Sequence, residues 1–584
     1  MAQEQILQDN IRPAEGIVCI LRKQKGYDKI QLPCSRAWPE TDLMRRKKEM
    51  NMKKSISIIL ALLLVLSTGL SAAYAESADS SGDDSGNKKL TEEEAAIADQ
   101  VIRNFMELTA IPRPTHHEER ISAFFMDWAK AQGLAPVQDE VLNVIFDVPA
   151  SEGFEEYPMV GLQAHMDMVC VGSSPDFDPE NDPIRAVVDY ENGIMTADGT
   201  SLGADDGIGC AIIMSMVQGL APHGPLRVIL TVDEEDGLSG VQHIDPAAVA
   251  DLKYLINVDS EESDSVCVSS SGGVEICITS DKEDGKAPEG DLAAVVSVSG
   301  LTGGHSGADI NLGRQNAIYL LDAVLADLAA GGLPYEIASM EGGTTSTSIP
   351  TKASAVLVLR SEDMEKLTAA LEEQEKAWKE RSEKTDPNLS ISAAKADSVP
   401  EAVISSELAE KTHSLLLGIV NGVYSMSEEI EGLVESSSNL GILRLSPDGL
   451  FVRCYERSSN SEKTDEILAI HKKVVKENGL TDDYTPSGDS WPFNPNSVLL
   501  PLAEKVYLEQ NGTEIKIEAV HGTLECGTFA VKIPSLDMIS IGPDLKDVHS
   551  PAETLYLRSI PKTFILLAGI LNGIAEADQH THLP

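Results

Sequence analysis

The amino-acid sequence predicts an α/β fold: a mixed, largely parallel sheet with flanking helices, plus an inserted α+β domain of two similar halves. Three observations carry this. Between residues 140 and 270, short apolar runs (VLNVIFDV, MVGLQAHM, GIMTAD, LRVILTVD, YLINVD) alternate with the helical pattern GIGCAIIMSMVQGL, the signature of strands crossed over by helices. From about residue 273 the pattern changes to two successive blocks, roughly 290–400 and 401–486. Each holds a long helix (QNAIYLLDAVLADLAA, then SELAEKTHSLLLGIV) beside β-like runs such as SAVLVLR and LFVRCYE. After SGDSWPFNPNS, strand and helix patterns resume to the end, so the first domain is expected to be discontinuous.

In chain order, residues 1–51 carry no periodicity and read as an upstream extension before a natural start at Met52. Residues 52–75 read as a signal peptide: Lys53 and Lys54, an apolar run from Ile56 to Leu66, then Ala73-Tyr74-Ala75. The run is too short for a stable membrane anchor. Export with cleavage near Ala75 makes the protein secreted. Residues 76–89 are Ser/Gly/Asp-rich and read as a disordered linker. A helix follows from about Thr91 to Ala110, ended by Pro112 and Pro114. Thr115 and Glu118 have the spacing of a capping box for the next helix, with His116 and His117 as surface residues of its first turn. The expected domains are 90–272, the insertion 273–486, and 487–584 completing the first.

Composition narrows the partners. The chain has 584 residues, a net charge of −47 and only 4% aromatics, which excludes nucleic acid as a partner. Its eight cysteines include no CxxC pair, so neither a disulfide scaffold nor a cysteine metal site is expected.

The chemistry lies in acidic and imidazole side chains, most of which follow apolar runs: His165 and Asp167 in GLQAHMDMV, Asp205 in the Gly-rich turn LGADDGIG, Glu234 and Glu235 in ILTVDEEDG, Asp259 in LINVDSEE, and His549 in the polar loop GPDLKDVHSP. Strand ends are where an open α/β sheet gathers its ligands. The set supplies two histidines, a bridging carboxylate, two further carboxylates and a spare glutamate, the inventory for two divalent ions. His165 and Asp167 stand two apart, so in extended backbone they point the same way. Asp167 is then placed to fix the His165 ring.

These blocks, with IPRPTHHEERI, LTGGHSG and HGTLECG, resemble the co-catalytic di-zinc exopeptidase superfamily, and within it the PepD-type aminoacyl-histidine dipeptidases, in order and over nearly everything after residue 90. The resemblance implies that His165, Asp205 and Asp259 hold one metal and Asp205, Glu235 and His549 the other. The metals would be zinc, with manganese or cobalt as alternatives. Glu234 would be the general base and Asp167 its orienting partner. The insertion would be a lid, with His305 and Arg457 binding a small peptide substrate in cis or across a homodimer formed through the lid. His521 and Gly527 would line the pocket. Rival readings are an N-acyl amino acid amidohydrolase or tripeptidase, a serine hydrolase using Ser201 of the G-x-S-x-G at Gly199–Gly203 with Asp259 and His549, and a non-catalytic metal- or peptide-binding module. If the signal peptide acts as read, Edman sequencing of the exported protein starts at Glu76; any distant start contradicts it.

Overall fold

The computed structural model describes residues 90–580 apart from 283–284 and 431. The extension (1–51), signal peptide (52–75) and linker (76–89) lie outside the described residues.

The first helix, Glu92–Thr109, begins with a reciprocal capping box. The Glu94 amide donates to Thr91 Oγ1 (3.1 Å), and the Thr91 amide to Glu94 Oε2 (2.7 Å), satisfying two orphan donors at once. The second box expected at Thr115–Glu118 does not form. Helix Glu119–Ala131 starts without a side-chain cap, because the Thr115 hydroxyl donates instead to Asp167 Oδ2 at 2.9 Å.

The main sheet has eight strands in the order Val137–Gln138, Val144–Val148, Leu226–Thr231, Val160–His165, Tyr254–Asn257, Asp537–Ser540, Ser265–Ser270, Lys516–Val520. The four from Leu226–Thr231 to Asp537–Ser540 run parallel. Alternate residues feed two cores. Val228 and Leu230 join the cluster formed with Phe105, Ile212 and Phe564, while Ile229 points into a second with Leu255, Met538 and Phe529. A strand buried on both faces reads as a continuous apolar run, as LRVILTV does. Two strands come from beyond residue 510, so the last part of the chain completes the sheet.

One expected member is elsewhere. Ile194–Ala197 belongs to a separate four-stranded sheet with Ala186–Asp189, Thr554–Tyr556 and Leu545–Lys546, paired antiparallel throughout. Alternation alone cannot distinguish an edge ribbon from a core strand. This small sheet leads into Asp205 on one side and holds the His549 loop on the other.

The insertion forms a nine-stranded antiparallel sheet around its own core. Two β-α-β-β-α-β units share it. One unit runs Leu292–Ser299, helix Ala317–Ala330, Glu336–Gly342, Ala353–Leu359, helix Met364–Arg381, Ser390–Lys395. The other runs Gly272–Thr279, helix Ser406–Gly418, Val434–Ser446, Gly449–Ser458, helix Ser461–Glu477, Thr481–Pro486. In each the strands lie fourth, first, third, second, and the two second strands pair antiparallel. The sequence blocks are therefore not simply successive: the first strand of the second unit precedes the whole first unit.

Helix Ala204–Val217, which carries Asp205, packs on the sheet through a glycine. A Cβ on Gly209 would stand 2.1 Å from the Val258 carbonyl oxygen and 2.2 Å from Asp206 Oδ1. Gly209→Ala must push the helix off the strand end leading to Asp259, so we expect a loss of about 1–3 kcal/mol, read as a lower thermal midpoint; an unchanged midpoint would show that the contact is slack.

Candidate metal and catalytic site

Three neighbouring parallel strands deliver the site at their carboxyl ends. Val160–His165 ends in His165 itself, Leu226–Thr231 runs on into Glu234 and Glu235, and Tyr254–Asn257 into Asp259. Asp205 comes from the first turn of Ala204–Val217, and His549 from the loop of the small sheet. The side chains converge. His165 Nε2 lies 3.1 Å from Asp205 Oδ1 and 3.5 Å from Asp259 Oδ1. His549 Nε2 lies 3.0 Å from Asp205 Oδ2 and 2.8 Å from Glu235 Oε2. The two oxygens of Asp205 thus face different histidines. Glu234 Oε2 stands 4.0 Å from His165 Nε2. Asp205, Glu234, Glu235, Asp259 and His549 line a cleft of about 860 Å³, together with Glu261, Glu518 and, from the insertion, Ala308.

Buried side chains hold this arrangement. Asp167 Oδ1 lies 3.4 Å from His165 Nδ1, and its carboxylate accepts the amides of Glu234 (3.2 Å) and Glu235 (3.3 Å). It therefore orients the ring and the neighbouring glutamate loop together. Asp206 Oδ2 accepts the His165 amide at 3.3 Å and Oδ1 the Gly209 amide at 3.1 Å, which makes it a brace beside Asp205. Two braces were not foreseen from sequence. Arg113 donates to the carbonyls of Met166 (2.8 Å), Asp167 (2.7 Å) and Gly203, tying the His165 turn to the Asp205 turn. Glu553 accepts the amides of Leu202, Gly203, Ala204 and Asp205 at 2.7, 3.0, 2.7 and 3.4 Å. A carboxylate there meets the positive end of the helix. Arg113 stands inside the quoted motif IPRPTHHEERI, and Glu553 lies two residues beyond the end of GPDLKDVHSP.

Beneath the site runs a polar layer. Glu525 accepts the Thr231 hydroxyl at 2.7 Å and a Gln163 amide hydrogen, and Asn257 donates to Gln163 Oε1 at 2.6 Å. Burial pushes Glu525 up to about 8.

The electrostatics test whether the donors suit divalent ions. Burial, then neighbouring carboxylates, pushes Glu234 well above its usual range and Asp259 up to about 6. Burial alone would lower His165, but Asp259 and its hydrogen-bonded carboxylates carry it well above its ordinary value. Asp205 and Glu235 raise His549 to about 11. Asp205, though buried, is held below the carboxylate range by hydrogen bonds to both histidines. So many largely buried anions at the floor of one cleft favour positive charge there. Ligating atoms of His165, Asp205 and Glu235 lie within 4.8 Å of one another, as do those of His165, Asp206 and Asp259. Imidazole nitrogens and carboxylate oxygens at that separation fit zinc-type chemistry.

Of the substrate-binding candidates, His305 and Arg457 gather with His521. His521 is gripped by Ser271 at 2.8 Å and Ser437 at 2.7 Å. Burial and the charge of Arg457 lower His305, and burial, Arg457 and His305 take His521 to about 3. The Arg457 guanidinium lies 4.5 Å from the Tyr455 ring centroid. A Cβ on Gly307 would stand 2.3 Å from the His521 carbonyl oxygen, so the His305 loop meets this cluster within one chain. Gly527 lies in helix Glu525–Lys532, close against the Asp489 backbone. Ser201 does not present a nucleophile: its hydroxyl is buried, donates to the Val169 carbonyl at 2.8 Å and accepts the Val171 amide at 3.1 Å. Loss of the Glu553 brace should loosen Asp205: we expect Glu553→Gln to weaken metal affinity by about 10–100-fold in calorimetric titration, and unchanged affinity would make the brace dispensable.

The comparisons with known proteins agree with this chemistry. The model for peptidase family M20/M25/M40 matches residues 161–573. The cytosol non-specific dipeptidase of Escherichia coli (strain K12) is 30% identical over 475 residues, covering 80% of this chain and 96% of that protein. The crystal structure of aminoacylhistidine dipeptidase from Vibrio alginolyticus superposes with a TM-score of 0.76 at 29% identity, covering 82% of this chain and 96% of that one. Peptidase T of Edwardsiella ictaluri (strain 93-146) is 35% identical over 132 residues, 17% of this chain and 31% of its own. The chain belongs to peptidase family M20/M25/M40.

Proposed function

We propose the following reading of the site. The chain is a metal-dependent dipeptidase that hydrolyses the peptide bond of dipeptides. The observation that carries the residue assignments is the Asp205 carboxylate, with one oxygen toward His165 and the other toward His549. His165, Asp205 and Asp259 would hold one divalent ion, and Asp205, Glu235 and His549 a second, zinc being the best match to these donors. Such ions, when bound, polarise the scissile carbonyl and acidify water in the cleft.

The chain's own residues do the rest. Glu234 takes a proton from the attacking water and returns it to the leaving amine; its burial makes the carboxylate a stronger base than an exposed one. Asp167 stands beside His165 Nδ1, leaving Nε2 toward Asp205 and Asp259, and accepts the Glu234 amide. His305 and Arg457 bind the peptide from the lid, Arg457 through its terminal carboxylate. Closure of that lid over the cleft excludes water. Two related specificities are in play, since one relative is named non-specific and the other aminoacylhistidine dipeptidase; the preferred substrates here are Xaa-His dipeptides. The signal-like segment 52–75 supports an exported enzyme.

The test is a dipeptide panel including Xaa-His on metal-reconstituted enzyme, with Glu234→Gln beside it. The variant should keep its metal and lose turnover by about 10²–10⁴-fold. A chelator should abolish activity and a serine-directed reagent should spare it. Normal turnover in Glu234→Gln would overturn the assignment.

A further inference from the structure

The segment Asp233–Asp236 places four carboxylates in a row, and its two inner members are the proposed base and a proposed ligand. From inside, Asp167 accepts the amides of Glu234 and Glu235. From outside, one side chain engages both outer aspartates. His116 Nδ1 lies 2.9 Å from Asp233 Oδ1, a charge contact, and His116 Nε2 lies 3.0 Å from Asp236 Oδ2, an aligned hydrogen bond. The sequence placed His116 as a surface residue of a helix's first turn. It is exposed, but it lies outside that helix and spans the mouth of the catalytic loop.

The backbone is shaped for this contact. His116 has φ +71° and Asp233 φ +57°, both in the left-handed region that non-glycine residues seldom adopt. The His116 amide donates to Glu118 Oε1 at 2.8 Å, and Asp233 Oδ2 also accepts the Ser239 hydroxyl. The neighbouring Thr115 hydroxyl reaches Asp167. His116 thus holds the catalytic loop directly, and Thr115 supports it from the other side through Asp167. Without the imidazole, Asp233 and Asp236 would face each other with nothing between them to offset like charge.

We propose that His116 is a positioning residue, an imidazole clamp that fixes the Asp233–Asp236 loop and through it the carboxylate of Glu234. This rests on Glu234 being the general base. The clamp is sensitive to pH. The groups facing the ring are Asp236, Asp233 and Glu118; the hydrogen bond to Asp236 and then the charge of Asp233 raise it above its ordinary 6.5. Protonated, the ring donates from both nitrogens; neutral, from one, so only one aspartate can be held. The clamp is complete below 6.5 and loosens as pH rises through the raised value.

Histidine-selective NMR, amide exchange and steady-state kinetics test this with His116→Asn, whose side chain tolerates the left-handed backbone, and His116→Gly as a second replacement free of backbone strain. We expect kcat to fall on the order of tenfold, the scale for loss of an outer support, with KM and metal content held and the alkaline loss of kcat in the parent enzyme abolished. In metal-free protein the amides of Asp233–Gly237 should exchange faster in both variants, and the His116 midpoint should drop toward 6.5 in Asp236→Asn. Parental kcat and exchange in His116→Asn, with Glu234→Gln inert, would overturn the clamp alone. A fully active Glu234→Gln would overturn the base assignment beneath it. Equal loss of kcat, metal and thermal stability in both His116 variants would make the residue structural and overturn the proposal too.

Discussion

One carboxylate has to satisfy two histidines that arrive from distant parts of the chain, and the rest of the site is arranged around that demand. His165 and His549 are far apart in sequence, yet each meets its own oxygen of Asp205. For that to hold, the turn before Asp205 cannot drift. Glu553 takes up the amides of this turn from the segment that also carries His549, and Arg113 ties the same turn to the backbone beside His165. Both histidines are therefore referenced to one fixed point. The small antiparallel sheet serves the same end, since its strands flank the approach to Asp205 and the His549 loop.

The second organising fact is crowding of negative charge at the buried floor of the cleft. Asp259, Glu234 and Asp206 are all pushed upward by burial and by neighbouring carboxylates, while those carboxylates raise both histidines. A pocket in this condition is stable only with cations or protons in it. Divalent ions held there would offset this charge, and binding them would then add to the stability of the fold.

Much of the site was legible because its residues close apolar runs. His165, Glu234, Glu235 and Asp259 each follow a buried strand, and three of those strands are neighbours. The braces were not legible, because they act on backbone far away in sequence: Arg113 reaches across 90 positions to Gly203 and Glu553 across 349 to Ala204. Nothing in the local pattern around an arginine or glutamate reports such a contact. Thr115 misled for a related reason. Its spacing to Glu118 fits a helix cap, but Asp167 offered the hydroxyl a buried, charged acceptor. The same limit explains the insertion. Helices and strands were visible by period, while the interleaving of its two units depends on which strands pair across hundreds of residues.

That interleaving has a mechanical consequence. Because Gly272–Thr279 and Thr481–Pro486 are adjacent strands, the two chain crossings between the sheets run side by side. They are laced together where they leave the main sheet: Ser270 and Trp491 exchange two backbone hydrogen bonds, at 3.0 and 2.9 Å, and the Gly273 amide reaches the Gly488 carbonyl at 3.2 Å. The insertion is joined to the rest by a narrow double strap instead of two separate tethers. Any displacement of the insertion must therefore bend both crossings together and also part Ser437 from His521.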